Sequence, residues 1–376
     1  MYTKTGSMKG IAARTFAAAV ACSSLATVTQ AEVTSDIVGY VKVGAYSAPS
    51  SYTGLPGGSD TLVSPPFTRQ PEFSGKVASF AGNVITVAGT PAWTANKFVY
   101  AASTQPKTYY ALIGSATAAN PLEGRVYDIT ANGTNTLTVD LNGDSLTGLA
   151  ADAKITVIPY WTLATLFPAA NAGVSFTATT ATNDLKTQVL VPDSSTVGTN
   201  LPYAASYYFF NGAWRKVGDA ETVNHNDDVI IPEKYITVRN PVGTTTKSLV
   251  VMGNVPSGKL AVPLATAAAA KQDNPVTFLS PLDTTLNGLG LGPSNGFTAT
   301  TSSRAIQDQL FVYDNSQVAL DKVASKIYIH MNGAWRLVGD NPTVDHGTDA
   351  IKAGSGLVIR KAASGTGATA FWNQTH

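Results

Sequence analysis

Asn211-Gly212-Ala213-Trp214-Arg215 returns 121 residues later as Asn332-Gly333-Ala334-Trp335-Arg336. In each copy the Asn-Gly pair separates two runs of β-forming residues, Tyr207 to Phe210 from Trp214 to Val217, and Ile327 to Met331 from Trp335 to Val338. A two-residue connection of this composition predicts a β-hairpin, because a type I′ turn needs positive φ at both central positions. A hairpin that returns intact also predicts that the module around it is duplicated.

The register extends outward without a gap. Phe176-Thr177-Ala178-Thr179-Thr180 matches Phe297-Thr298-Ala299-Thr300-Thr301, and the same offset pairs Gln188 with Gln309, Asp193 with Asp314, Tyr207 with Tyr328, Asp219 with Asp340, His225 with His346, Asp228 with Asp349, Ile230 with Ile351 and Arg239 with Arg360. Thr156-Val157-Ile158 pairs with Thr277-Phe278-Leu279 in the same way. Further back the register breaks. Leu260-Ala261-Val262-Pro263 finds its counterpart 198 residues earlier, at Leu62-Val63-Ser64-Pro65, and the excess over 121 is a net insertion of 77 residues in the first copy.

The interrupted region is dense in short strand patterns: Val77 to Phe80, Val84 to Val87, Phe98 to Ala101, Tyr109 to Ile113, Arg125 to Ile129 and Thr136 to Leu141, with turns at Gly82-Asn83 and Asn132-Gly133. Hairpin spacing without a helical period is the signature of a small barrel or β-sandwich. The sequence therefore predicts a mainly β protein of two tandem homologous β modules, with a small β-barrel-like domain inserted in the first. The expected boundaries are 36–74 plus 154–241 for repeat one, 75–153 for the inserted domain, 247–362 for repeat two and 363–376 for a C-terminal tail. Helix is scarce; the runs Leu260 to Gln272 and Val318 to Val323 are the places where a turn or two is expected.

A chain of 376 residues can bury a large core without a metal or disulfide staple. Charged residues are only 13%, about half the share usual in soluble proteins, while hydrophobic residues reach 44%. The surface must then be built largely from hydroxyl and small side chains. A net charge of +1 with no basic run excludes an electrostatic footprint for nucleic acid.

Residues 1–31 read as a signal peptide. Lys4, Lys9 and Arg14 precede the apolar run Phe16 to Val28, and Thr29 and Ala31 suit a signal-peptidase site. Translation starting at Met8 instead of Met1 would give a leader of more ordinary length. Cys22, the single cysteine, lies in this segment, so the exported chain would have no disulfide. Ala19-Val20-Ala21-Cys22 is a poor lipidation motif, because a larger aliphatic residue is expected three places before the cysteine. The expected destination is the periplasm, cell surface or extracellular space, with no membrane span in the mature chain.

Candidate chemistry is sparse. The duplicated loops Asn224-His225-Asn226-Asp227-Asp228 and Asp345-His346-Gly347-Thr348-Asp349 place one histidine among carboxylates, a pattern able to bind a metal or act as a base. Each supplies one histidine where metal sites need three or four converging ligands, and turn chemistry must recur wherever a fold recurs, so a loop-capping role is expected. Asp140-Leu141-Asn142-Gly143-Asp144 opens like a calcium loop but has Ser145 where glycine is needed and Ala151 where the closing acid belongs, which reads as a hairpin turn. Trp214 and Trp335 follow tight turns and are expected to pack in a core. Trp93, in a loop-like setting, is the better candidate for an exposed sugar-stacking platform, although packing is expected there as well. The candidate ligand-binding residues are thus Trp93, His225 and His346; no catalytic residue and no cofactor is expected.

The chain resembles a family of uncharacterised exported β-rich proteins, present as several paralogues in Verrucomicrobia-type bacteria and without an assigned activity. The resemblance rests on Val38-Gly39-Tyr40-Val41, Gly82-Asn83-Val84-Ile85-Thr86-Val87, Trp93-Thr94-Ala95-Asn96, Ile158-Pro159-Tyr160-Trp161-Thr162-Leu163, both Asn-Gly-Ala-Trp-Arg runs and Gly365-Thr366-Gly367-Ala368-Thr369-Ala370-Phe371-Trp372. It implies export and carries no site residues. The expected function is a non-enzymatic structural or interaction protein of the cell envelope, whose partners are other copies or other envelope components. The alternative is a carbohydrate-binding module or secreted polysaccharide-acting protein with a glycan partner, and the third reading an outer-membrane β-barrel.

Overall fold

Both Asn-Gly pairs form the turn their sequence requires. Asn211 and Gly212 have φ of 49° and 78°, Asn332 and Gly333 of 53° and 74°, and each turn is flanked by a directly paired couple, Phe210 with Ala213 and Met331 with Ala334. The computed structural model describes residues 37–48, 51–102, 104–302 and 304–375. The expected leader and Cys22 lie outside these residues.

The fold is mainly β. In chain order the strands that matter are β1 Val38–Val43, β2 Ser59–Val63, β3 Phe73–Ala81, β4 Val84–Val87, β5 Tyr109–Ile113, β6 Val126–Asn132, β7 Thr136–Asp140, β8 Lys154–Pro159, β9 Gln188–Pro192, β10 Tyr203–Phe210, β11 Ala213–Lys216, β12 Ile236–Asn240, β13 Leu249–Asn254, β14 Lys259–Leu264, β15 Gln272–Thr277, β16 Gln309–Val312, β17 Lys326–Met331, β18 Ala334–Leu337, β19 Gly356–Lys361 and β20 Ala370–Thr375.

Two five-stranded sheets repeat one topology, β11-β10-β9-β12-β2 and β18-β17-β16-β19-β15. Each is faced by a two-stranded ribbon, β1 with β13 and β14 with β20. Alternation drives this layering. In the first module Val43, Leu249 and Val251 of the ribbon meet Val63, Val189, Val238 and Trp214 of the sheet. In the second, Leu260, Val262 and Trp372 meet Val276, Leu310, Leu357, Ile359 and Trp335. At the first ribbon Gly39 and Gly253 face inward as a direct pair, where a Cβ would stand 2.9 Å from the Phe67 ring and 2.4 Å from the Thr68 carbonyl oxygen. Only glycine permits that approach.

Between β2 and the rest of its sheet the chain builds a separate closed barrel, β8-β3-β4-β7-β6-β5. Its interior is packed with Val77, Ile85, Phe98, Ile113, Leu137, Val139 and Ile155. Phe98 lies in this core without belonging to a strand, contrary to the expectation for Phe98 to Ala101, because a loop pinned by Asn132 delivers it: Asn132 accepts from the Phe98 amide at 2.9 Å and donates to the Thr94 carbonyl at 2.9 Å.

The structure differs from the expected boundaries in three places. Lys154–Pro159 pairs with both β3 and β5 and so closes the barrel, whereas the sequence reading opened the second half of repeat one there. β13 lies beyond the expected end of repeat one yet completes its ribbon, and β20, read as a tail, does the same for the second module. Finally, β2 is equivalent to β15, since Arg239 faces Asp60 as Arg360 faces Asp273, an offset of 213. The run Leu260 to Pro263 lies instead in β14, a strand where helix was expected; Val318 to Val323 is also non-helical, and the single α-turn among the described residues, Leu163–Leu166, is started by a Thr162 and Thr165 capping box.

The two modules grip one another reciprocally. The amide of Asp273 on edge strand β15 donates to the Gly198 carbonyl at 2.9 Å, and that of Asp60 on edge strand β2 donates to the Ala319 carbonyl at 2.8 Å; Gly198 and Ala319 occupy equivalent positions. Each loop begins on an aspartate that caps it, Asp193 accepting from Ser195 and Asp314 from Ser316, both amides at 2.8 Å. Unpaired strand edges invite foreign strands, and here each module covers the other's. The modules are therefore related by a pseudo-two-fold axis. Near it, Tyr235 packs against Gly356, its own equivalent, with Leu62 and Val358 alongside.

Candidate functional site

The duplicated histidines sit beside the outer edge strands β11 and β18. The loop that follows each strand folds back so that the His225 amide donates to the Trp214 carbonyl and the His346 amide to the Trp335 carbonyl, both at 3.0 Å. The imidazoles then bridge two carboxylates. His225 Nδ1 is 3.0 Å from Asp228 Oδ2; His346 Nδ1 is 3.4 Å from Asp349 Oδ2 and its Nε2 is 3.0 Å from Asp340 Oδ2. His225 Nε2 stands 3.2 Å from Asp219 Oδ2, an ion-pair distance without hydrogen-bond alignment.

Each second carboxylate is also bound from the sheet. Tyr207 donates to Asp228 at 2.8 Å and Tyr328 to Asp349 at 2.5 Å. Burial raises both phenols, and donation to an aspartate raises them further. Burial pushes the Asp349 carboxyl up, but the bonds from Tyr328 and Lys326 outweigh it and hold it below the usual carboxylate range. The Asn341 amide, then His346, hold Asp340 low. The result is a Tyr–Asp–His–Asp chain that ties loop to hairpin, with every named member matched at one offset. Asp228, Asp340 and Asp349 already have donors, and among the described residues no group of three or more His, Cys, Asp or Glu is placed to hold a metal ion.

Trp93 is 7% exposed. Its ring packs edge-on to Phe73 and Phe98 at centroid distances of 4.7 and 5.0 Å, so it offers no face to a sugar; the loop-like sequence around it crosses the end of the barrel and plugs it. Trp214 and Trp335 are buried under their sheets. The Asp140 to Asp144 run is a turn with positive φ at Asn142 and Gly143. Asp144 accepts from Arg125 and Tyr127, both at 2.8 Å, and is thereby turned away from any calcium geometry. Beside this turn lies an open groove of about 510 Å³ lined by Asn83, Thr130, Asp140, Leu141 and Asn142.

No family model, no curated protein and no solved structure matches the chain. One group had no signal in the sequence. Glu233 is buried where the two modules and the barrel meet, its main-chain carbonyl accepting from Thr277 at 3.0 Å. Burial raises its carboxyl to about 7, against a smaller pull from Lys234, with Asp128 adding to the rise. Tyr110 and Tyr160 feel its charge, and Tyr160 donates to Asp128. Nothing local in Pro232-Glu233-Lys234 announces burial; it arises only from the meeting of three bodies.

Proposed function

We propose that the chain is an exported, non-enzymatic structural or interaction protein of the bacterial cell envelope or extracellular space. The observation that carries this reading is the duplicated Tyr–Asp–His–Asp chain: the most reactive-looking constellation in the sequence is engaged, in both copies, in fastening a loop to a hairpin. The leader pattern and the charge-poor composition support export. The test is fractionation and imaging of the native cells with an antibody to the protein. Recovery in the envelope or the medium is the expected outcome, and recovery in the cytoplasm would overturn the reading.

The carbohydrate reading keeps one observation in its favour, the open groove beside Asp140 to Gly143 with its amide, hydroxyl and carboxylate rim. A glycan array on the purified chain, repeated with Asp140→Ala and Asn142→Ala, tests it; binding lost in both variants would favour it. The outer-membrane reading has a physical argument against it. The six-stranded barrel has an apolar packed interior with Ser79 and Asp128 outward, the inverse of a membrane barrel.

A further inference from the structure

The ribbons β1–β13 and β14–β20 are equivalent, but their outer faces are treated differently. On β14–β20 the outward residues are Lys259, Ala261, Pro263, Phe371 and Asn373, and the barrel docks on Lys259, Ala261 and Phe371, leaving Pro263 and Asn373 exposed. The Ala261 amide donates to the Gly124 carbonyl at 2.8 Å, the Arg125 guanidinium lies 3.2 Å from the centre of the Phe371 ring, and Lys259 pairs with Glu123 at 2.8 Å. On β1–β13 the outward residues are Val38, Tyr40, Lys42, Val250 and Met252, with Asn254 buried at one end of the face, and no described residue covers Val38, Tyr40, Val250 or Met252. Val38 is 65% exposed, Tyr40 72%, Val250 43% and Met252 64%, with Tyr40 directly opposite Met252 and Lys42 opposite Val250.

The covered ribbon thus carries one large apolar side chain and the bare one carries four. Solvent selects the opposite arrangement, and a contiguous apolar patch on a charge-poor protein marks a contact surface. The molecule also shows that this kind of face is one on which a β body docks. We infer that the outer face of the β1–β13 ribbon is a self-association surface, covered by the same face of a second copy about a two-fold axis; this deepens, and rests on, the reading of the chain as an interaction protein.

Three features select a second copy over another partner. An isologous contact needs a patch that is complementary to itself, and an antiparallel ribbon presents the same outline in both strand directions. Lys42 is the single charge among the outward residues and lies at one end, so a dyad running across the strands sets the two lysines at opposite ends of the contact. The patch contains no carboxylate and no central charge with which to fix a charged partner. Four such side chains and the ribbon between them expose on the order of 500 Å² per copy, which places the dimer at the small end of specific interfaces and its dissociation constant in roughly the micromolar range.

Sedimentation velocity on the purified full chain across the micromolar range tests this. A monomer–dimer equilibrium is expected, weakened at least about tenfold by Tyr40→Glu or Met252→Lys, both outward substitutions whose folding is checked by circular dichroism. Met252→Cys, with Cys22→Ser, should give a disulfide-linked dimer on mild oxidation, because the Tyr40–Met252 pair lies near the dyad. A strict monomer at high concentration, or a dimer indifferent to both substitutions, would overturn the inference. A strict monomer located in the envelope would sink this surface and leave the broader reading standing, whereas a dimer located in the cytoplasm would support the surface and sink the reading.

Discussion

At the scale of single residues, Gly356 and Glu233 are placed under opposite constraints, one by space and the other by charge. A Cβ on Gly356 would stand 2.7 Å from Cγ of Tyr235 and 3.0 Å from Cβ of Leu62. Gly356→Ala should therefore cost about 1–3 kcal/mol as an overpacked contact, and most of that cost should vanish in a Tyr235→Ala background, which removes the Cγ it meets. Urea titration of the four chains of this double-mutant cycle reads the coupling directly. Glu233 acts through its proton. Its folded carboxyl is raised to about 7 from an ordinary value of 4.5, so the folded chain holds a proton that the unfolded chain has released. The associated stability is fully present below about pH 4.5, is lost as pH rises through about 7, and changes no further above that, a total on the order of 3 kcal/mol. Glu233→Gln should flatten the melting temperature between pH 5 and pH 8, and an unchanged slope in that variant would contradict the assignment.

At the scale of elements, two equivalent junctions solve one problem with different chemistry. In the second module buried Lys361 on β19 pairs with buried Asp308, whose carboxylate also accepts from the Thr298 amide at 2.6 Å and the Ala362 amide at 2.8 Å. In the first module the same two positions are Asn240 and Thr187, a neutral pair at 2.6 Å, and the Thr187 hydroxyl receives the Thr177 amide at 2.8 Å. Removing one charge, as in Lys361→Met, strands the other and should cost about 3–5 kcal/mol. Transplanting the neutral pair, Asp308→Thr with Lys361→Asn, should come within about 1 kcal/mol of the parent. Thermal melts of both variants check this.

The same scale shows what was legible in the sequence. The hairpins, the 121-residue register and the members of the Tyr–Asp–His–Asp chain could be read directly, because turn stereochemistry and side-chain bonding both repeat with the fold. The equivalence of β2 with β15 could not. Leu62-Val63-Ser64-Pro65 looks more like Leu260-Ala261-Val262-Pro263 than Ser59-Asp60-Thr61 looks like Gln272-Asp273-Asn274, yet the alignment is set across strands, where Arg239 makes two bonds to Asp60 at 2.7 Å. Short apolar likeness is common; a cross-strand partner is invisible in one dimension. Trp93 packs, as expected, but where it packs was not legible for a related reason, since loop-like sequence does not separate a loop that leaves a barrel from one that plugs it.

At the scale of the whole molecule, the reciprocal loops make each module part of the other's sheet. The chain should then lose both modules in a single calorimetric transition. Arg239→Met removes the bond to Asp60 and the contact to Asp321 of the partner module, and Asn315→Ala removes a side chain bonded to both the amide and the carbonyl of Leu62, at 3.0 and 2.8 Å. Together they should split that transition or broaden it, while a transition that only shifts would show that the apolar contact around Tyr235 suffices for coupling.

The same contact also governs how copies of this chain meet while they are crowded and incompletely folded. Two first modules meeting face to face would bring two Tyr235 rings into space for one, and two second modules would bring two Gly356 residues together over a void. Only unlike halves fill the gap. The mismatch of one aromatic ring against one hydrogen atom thus acts as a sorting rule, steering each half toward the sister that its own chain already holds nearby and away from identical halves on neighbouring chains.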